Sequence, residues 1–229
     1  MKSYVVHLIR HGITSANLNG EYAGVKDVPL CDLGREKLKE LKSKYEYPKV
    51  DAYYSSPLSR CRETCSIIYP QASPIIVDGL KECNFGDWEG KTAKELGNNE
   101  EFRTWLKSRQ QLSPPNGESG IEFGKRIRKS FEGVIEDLLK KGITSAAVFA
   151  HGGVIMSLLS IYGLPKKDFY SWVVSNGCGY SLRITPSLWM RDKVLEIFGE
   201  VPPGHDQGLT GDFKYLMEQA KNLASSKLE

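Results

Sequence analysis

The chain has 229 residues, and its 31 Lys and Arg against 28 Asp and Glu leave a formal net charge of +3 at pH 7. This near balance excludes a dedicated nucleic-acid or membrane-surface protein, whose basic excess would be larger and clustered. A hydrophobic share of 40% with 26% charged residues excludes a disordered chain, so we expect one globular domain over residues 1–229, with no nucleic-acid or membrane partner.

The apolar runs are too short for membrane insertion or export. No run approaches the roughly 20 apolar residues of a membrane-spanning helix, and residues 4–6 are much too short for a signal-peptide core. Five cysteines, at positions 31, 61, 65, 83 and 178, form an odd set without framework spacing. This pattern indicates reduced thiols and a cytoplasmic protein, which we expect to be a monomer or a homodimer.

The first half of the chain alternates strands with helices. The predicted elements are a strand at 4–9, a helix at 32–45, a strand at 51–55, a helix opened by Pro57 and a short strand at 74–77. The helix at 32–45 carries its apolar residues at steps of three and four, with Lys and Glu on the opposite face.

Residues 80–117 interrupt this alternation. They are rich in Gly and Pro but also contain Phe85, Trp88, Phe102 and Trp105, which need burial, so we interpret them as an excursion that carries site loops. Further predicted elements are a helix at 118–141 ended by Gly142, a strand at 143–150, a helix running to 162, two strands at 179–184 and 193–198 that form a hairpin, and a helix at 212–224 in a C-terminal extension over 199–229.

Strands that alternate with helices and are too apolar for one-sided exposure indicate an α/β fold with a mostly parallel sheet. In such sheets, ligands bind beyond the carboxyl ends of the strands. Three segments follow predicted strands: Arg10-His11-Gly12, residues 55–60 with Arg60, and His151-Gly152-Gly153. Two imidazoles and two guanidiniums should therefore converge into a pocket suited to a dianionic phosphoryl group, where a histidine can act as the nucleophile.

Other kinds of site have weaker support. His7 and His11 are four residues apart, as in a zinc helix, but Leu8 stands where the metalloprotease glutamate would be and the segment is a predicted strand. Cys61 and Cys65 are better explained as core thiols than as zinc ligands, so we expect no metal and no cofactor. The sequence contains no GxSxG, GxxxxGK[ST] or GxGxxG motif.

Five motifs occur together in the order of a known family. They are Leu8-Ile9-Arg10-His11-Gly12 with Thr14, Asn17 and residues 24–34, then SSPLSRCRET at 55–64, LKECNFGDWEG at 80–90, PNGES at 115–119 and HGGVI at 151–155. Across residues 4–185 the chain resembles the histidine phosphatase superfamily, which includes cofactor-dependent phosphoglycerate mutases, fructose-2,6-bisphosphatases and α-ribazole phosphatases. The resemblance implies a phosphoglycerate mutase-like, three-layer α/β/α sandwich.

The resemblance also implies a role for each matching residue. His11 would be the phosphorylated nucleophile, and Glu82 the proton donor to the leaving group. The phosphoryl group would be held by Arg10, Asn17, Arg60, His151 and Gly152. These roles agree with what phosphoryl transfer needs, namely positioning and charge neutralisation.

The motif Phe85-Gly86-x-Trp88-Glu89-Gly90 looks more like the phosphatase branch, especially α-ribazole and broad-specificity phosphatases. His151 lies only 69 positions after Glu82, and the residues between them contain no adjacent Arg-Arg pair of the kind with which the mutases grip a carboxylate. We therefore expect a metal-independent phosphomonoester hydrolase that acts on a small phosphorylated metabolite, with α-ribazole 5′-phosphate as one candidate. The alternatives are a cofactor-dependent phosphoglycerate mutase and an inactive module that binds phospho-ligands.

Three departures from the family pattern bear on the substrate. Ile13 stands where many relatives have Glu, Ala23 where many have Gln or Thr, and Met156 where Arg is common. None belongs to the predicted phosphoryl pocket. We expect them near the part of the substrate beyond its phosphoryl group, where they bear on which substrate is bound.

Overall fold

The computed structural model describes residues 3–108 and 112–205. Its strands are β1 (Tyr4–Arg10), β2 (Ala52–Ser55), β3 (Ile75–Ile76), β4 (Ser145–Ala150), β5 (Gly163–Leu164), β6 (Gly179–Ile184) and β7 (Leu195–Val201). Its α-helices are α1 (Ser15–Asn19), α2 (Asp32–Lys44), α3 (Ser59–Ile68), α4 (Ala93–Leu96), α5 (Glu100–Lys107), α6 (Gly120–Lys141), α7 (Gly152–Tyr162) and α8 (Pro186–Asp192). Short 3₁₀ helices lie at Asp78–Leu80, Gly86–Trp88 and Phe169–Trp172.

The strands form one sheet in the order β3-β2-β4-β1-β6-β7-β5. Parallel pairing joins β1 to β4, β4 to β2, β2 to β3, and β5 to β7. The strand β6 is antiparallel to both of its neighbours, β1 and β7. The prediction of a mostly parallel sheet in an α/β fold is therefore confirmed.

Helices cover both faces of the sheet, because successive side chains of a buried strand point to opposite sides. Val6 and Leu8 of β1 pack in a cluster with the apolar residues of α6 and α7. Ile9 of the same strand, with Phe149 of β4, packs in a second cluster against α2 and α3. The two clusters make the three-layer α/β/α sandwich that was expected.

The excursion has a small core of its own. Trp88, Ala93, Leu96, Phe102 and Trp105 are buried together, and the half-buried Phe85 packs against them. This separate cluster explains how residues rich in Gly and Pro hold a defined position beside the sheet.

The region after β6 differs from the prediction. The last two strands do pair antiparallel, but the helix α8 lies between them, and β7 runs on to the buried Val201, three residues beyond the predicted end. The helix begins with Pro186 and buries Trp189. The predicted helix at 212–224 lies outside the described residues. Within the described part of the chain, no helix is both long and apolar enough to cross a bilayer.

Candidate active site

The candidate site lies where the parallel strands β1, β2 and β4 end. Arg10 pairs with Ala150 at the ends of β1 and β4, so the residues that follow, His11 and His151, emerge side by side. Their ring centroids are 5.3 Å apart, with the ring planes tilted by 59°. Both side chains are buried. The two His-Gly sequences therefore meet at one edge of the sheet, as predicted.

The His11 ring is held in one tautomer. Its Nδ1 lies 2.7 Å from the carbonyl oxygen of Gly12, which can only accept, so Nδ1 carries the proton and Nε2 keeps its lone pair. Burial, followed by the positive charges of Arg60 and Arg10, lowers the pKa of His11 well below its ordinary value. At neutral pH the ring is uncharged and Nε2 can act as a nucleophile.

The backbone around His11 is fixed by residues from distant segments. Thr64 Oγ1 accepts the Gly12 N–H at 2.9 Å. Asn176 Nδ2 donates to the carbonyl oxygens of His11, at 3.0 Å, and Gly12, at 3.2 Å. Asn176 was not identified from the sequence. The Asn-Gly pair at 176–177 indicates a turn, but only the placement of β6 beside β1 shows that this turn reaches the site.

His151 has the opposite tautomer. Arg60 Nε donates to His151 Nδ1 at 3.2 Å, so Nδ1 accepts and Nε2–H donates to Ser56 Oγ at 2.9 Å. Burial is the main cause of a strongly lowered pKa of His151, with Arg60 the next contributor. Its Nε2 also lies 3.5 Å from the Cys61 thiol, a buried contact that the sequence did not suggest.

The two predicted guanidiniums are anchored on backbone carbonyls. Arg60, 1% exposed, donates through Nη1 to Lys26 O at 2.9 Å and through Nη2 to Gly24 O at 2.7 Å. Arg10 Nη1 donates to Val174 O at 2.7 Å. These bonds fix two positive charges that act on both His11 and Glu82.

A second acidic side chain, Glu89, holds the loop that receives Arg60. Its Oε1 accepts the N–H of Val25 at 2.9 Å, and its Oε2 accepts the N–H of Lys26 at 2.7 Å. Gly24 packs so tightly here that a Cβ would overlap the Cys83 carbonyl oxygen. The sequence placed Glu89 in a family motif but did not reveal this contact.

Glu82 faces the start of α7. Its Oε2 accepts the N–H of Gly153 at 2.8 Å, and its Oε1 accepts the N–H of Cys83 at 2.9 Å. Burial raises the pKa of the Glu82 carboxyl group and outweighs the lowering by these N–H donors and by the two arginines. The raised pKa favours a protonated acid that can deliver a proton.

Asn17 and Gly152 complete the predicted set. Asn17 Oδ1 accepts from the N–H and the hydroxyl of Thr14 and from Asn176 Nδ2, which fixes the orientation of its amide. Gly152 begins α7 beside Arg10, so the positive end of the helix dipole adds to the charge of the site. Hydrogen bonds, in part through Asn176, and electrostatic effects thus link six of the seven predicted residues, and the seventh, Gly152, lies beside Arg10.

Aromatic rings lie beside the segment that carries Glu82. Tyr22 contacts Phe85 with ring centroids 5.0 Å apart. Burial is the main cause of the raised pKa of Tyr22, and the nearby Tyr170 hydroxyl is the second.

Among the three departures from the family pattern, Ile13 and Ala23 are half-buried, whereas Met156 is buried in the cluster between the sheet and α7. Over residues 3–108 and 112–205, no three His, Cys, Asp or Glu side chains are grouped as metal ligands.

Comparison with known proteins places this arrangement in a family. Residues 6–194 match the histidine phosphatase superfamily (branch 1). The chain is 29% identical to the adenosylcobalamin/α-ribazole phosphatase of Escherichia coli (strain K12), over 77% of this chain and 88% of that protein. It is 28% identical to the 2,3-bisphosphoglycerate-dependent phosphoglycerate mutase of Bartonella tribocorum, over 82% and 96%.

A solved structure agrees with these matches. The α-ribazole phosphatase from Shigella flexneri superposes with a TM-score of 0.72 at 26% identity, over 85% of this chain and 94% of that one. The chain belongs to the histidine phosphatase superfamily, branch 1.

Proposed function

We propose that this chain is a phosphoric monoester hydrolase that works through a phosphohistidine at His11. The observation that carries the proposal is the state of His11. Its Nδ1 proton is engaged by Gly12 O, and its Nε2 lone pair is left in a buried pocket with two fixed guanidiniums. Phosphatases among the relatives support the same chemistry.

In the first step, His11 Nε2 attacks the phosphorus atom and the bond from phosphorus to the ester oxygen breaks. The departing oxygen takes the proton of the Glu82 carboxyl group and leaves as an alcohol. Arg10 and Arg60 stabilise the charge on the transferring group, which is the main requirement of phosphoryl transfer.

In the second step, the Glu82 carboxylate takes a proton from a water molecule whose oxygen attacks the phosphorus atom. The bond between phosphorus and nitrogen breaks, inorganic phosphate leaves, and His11 returns to its starting tautomer. Glu82 is protonated again and ready for the next turnover. No step of this cycle requires a metal ion or a cofactor.

For the substrate we propose a small phosphorylated metabolite, with α-ribazole 5′-phosphate as the first candidate because two of the relatives carry that activity in their names. The aromatic side chains Tyr22 and Phe85 lie beside the Glu82 segment, where the leaving group must be. Mutase activity is a second candidate, because the similarity to the Bartonella mutase covers nearly all of that protein.

We further propose a cytoplasmic location and a single domain over residues 1–229. All five cysteines are free thiols, which fits a reducing compartment. The C-terminal extension over 199–229, as part of this domain, stays a prediction, as does the expectation of a monomer or a homodimer.

The test is phosphate release in excess EDTA from α-ribazole 5′-phosphate, sugar phosphates, p-nitrophenyl phosphate and 3-phosphoglycerate. A parallel assay follows isomerisation of 3-phosphoglycerate in the presence of 2,3-bisphosphoglycerate. We expect release that survives chelation and is abolished in His11→Asn. Isomerisation without release would establish the mutase, and binding without either reaction would establish the inactive module.

A further inference from the structure

Arg126 lies in the first third of α6 and directs its guanidinium towards the segment that carries Glu82. Nη1 donates to Gly79 O at 3.0 Å and to Lys81 O at 2.9 Å. Nη2 donates to Glu82 O at 3.1 Å and to Glu118, and Nε donates to Glu118 Oε2 at 3.2 Å. A guanidinium has five N–H donors in a fixed geometry, and all five are used here.

Glu118 connects Arg126 to the backbone on the C-terminal side of Glu82. While paired with Arg126, its Oε1 accepts the N–H of Asn84 at 2.9 Å. Backbone groups before, at and after Glu82 are therefore bound to one ion pair. Both side chains are largely covered, with 28% of Arg126 and 15% of Glu118 exposed, so solvent screens the pair less than it would at the surface.

The segment needs such an anchor because residues 82–85 belong to neither a helix nor a strand. The helix α6, in contrast, is fixed by Phe123, Ile127 and Phe131, which pack in the main core. Gly79 allows the segment to approach α6 closely, since a Cβ there would overlap Ser130 Oγ.

We propose that Arg126, together with Glu118, is a positioning residue for the proton donor Glu82. The inference rests on the proposed function, since it assumes that Glu82 protonates the leaving group. Proton transfer needs the carboxyl group within hydrogen-bond reach of the ester oxygen, and a displacement of about 1 Å is enough to impair it strongly. The N–H donors of Arg126 are bound to the Glu82 segment and to Glu118, so its loss should act through the two proton transfers that Glu82 performs.

The test uses the dependence of the rate on the leaving group. An alkyl phosphate needs a proton to depart, whereas p-nitrophenolate leaves readily without one. We expect Arg126→Lys to lower kcat/KM, which reports only the steps up to departure of the leaving group, by about tenfold to a hundredfold for an alkyl phosphate and by less than about threefold for p-nitrophenyl phosphate. The matched control is Arg128→Lys on the same helix, because Arg128 is exposed and its guanidinium bonds to Gly124 O within α6.

Glu82→Gln supplies the reference. If kcat/KM of this variant falls equally for both substrates, Glu82 is not the acid, and that part of the proposed function fails together with the inference. Suppose instead that Glu82→Gln lowers kcat/KM for the alkyl phosphate selectively, whereas Arg126→Lys lowers it equally for both substrates or for neither. The proposed function then stands, and the inference about Arg126 alone is wrong. When Glu82→Gln is already present, adding Arg126→Lys should lower kcat/KM for the alkyl phosphate only a little further. If the two fold-losses instead multiply in the double variant, the residues act independently and the inference is overturned.

A second variant covers the case in which Arg126→Lys fails to fold. Glu118→Gln keeps an oxygen for the Asn84 N–H but removes the negative charge that holds Arg126. We expect the same selective fall in kcat/KM for the alkyl phosphate, with a far-ultraviolet circular dichroism spectrum like that of the original chain. A folded Glu118→Gln protein in which kcat/KM falls equally for both substrates, or for neither, would contradict the proposal.

Discussion

Replacing Arg60 by lysine keeps a positive charge in the pocket but removes the planar fork. The guanidinium makes three hydrogen bonds, to His151 Nδ1, Lys26 O and Gly24 O, in a position that is 1% exposed. A single ammonium nitrogen cannot occupy the places of Nε, Nη1 and Nη2 together, so at least two of these bonds are lost.

Each hydrogen bond from a charged donor contributes about 1.5–3 kcal/mol, so two lost bonds amount to about 3–6 kcal/mol. These bonds are present in the free enzyme too, so their loss lowers the free energy of unfolding, which urea denaturation measures. Catalysis is affected because the ammonium no longer presents the two guanidinium N–H groups that these bonds leave over to the phosphoryl group, and losing one such charge-assisted bond, about 2.7 kcal/mol, corresponds to a roughly hundredfold fall in kcat/KM. We therefore expect Arg60→Lys to reduce kcat/KM for p-nitrophenyl phosphate by about two orders of magnitude.

Arg62→Lys is the matched control, because Arg62 lies on the same helix, two positions later, and is exposed. It should leave both kcat/KM and the urea midpoint close to those of the original chain. A folded Arg60→Lys enzyme that keeps kcat/KM within about threefold would refute the reasoning, since bidentate recognition by Arg60 would then contribute little to phosphoryl transfer.

Two further predictions concern Gly24 and His7. Gly24→Ala would force a Cβ into the Cys83 carbonyl oxygen, so we expect the free energy of unfolding to fall by about 1–3 kcal/mol and kcat/KM to fall with it. The control is Gly133→Ala, whose Cβ meets nothing within 4 Å and which should not destabilise the protein. Equal free energies of unfolding in the two variants would contradict the predicted clash. Burial lowers the pKa of His7 from 6.5 to about 4, so the unfolded chain binds this proton first and stability falls as the pH drops from 6.5 towards 4, by up to about 3 kcal/mol from this residue. In His7→Asn, whose amide can keep the bond to Ser181, urea denaturation should show a smaller fall over that range, and an unchanged pH dependence would contradict the assignment.

Part of the candidate site, namely the segments with His11, Arg60 and His151, could be predicted because these segments follow strands, whereas Glu82 and Asn17 were implied only by the resemblance to the family. The runs before His11 and His151 are apolar enough to identify β1 and β4, and parallel strands bring their carboxyl ends to one edge. The confirmed family match and fold agree with this inference. The roles of individual residues stay predictions until the variants are measured.

The supporting contacts could not be predicted, because they join segments far apart in the chain. Asn176 reaches His11 only because β6 inserts beside β1, and Arg126 binds carbonyl groups more than 40 positions away. Backbone carbonyls leave no trace in a sequence. The helix α8 was missed for a local reason, since Trp189 alone is buried and one residue creates no periodicity.

The most direct test of the account is to trap the phosphorylated enzyme. The chain is mixed with a ³²P-labelled phosphomonoester, stopped in alkali, where phosphohistidine survives, and mapped by mass spectrometry. His7→Asn serves as the control for a second buried histidine outside the pocket. We expect label on His11 in the original chain and in His7→Asn, and none in His11→Asn. Label on another residue, or turnover that persists in His11→Asn, would contradict the central claim.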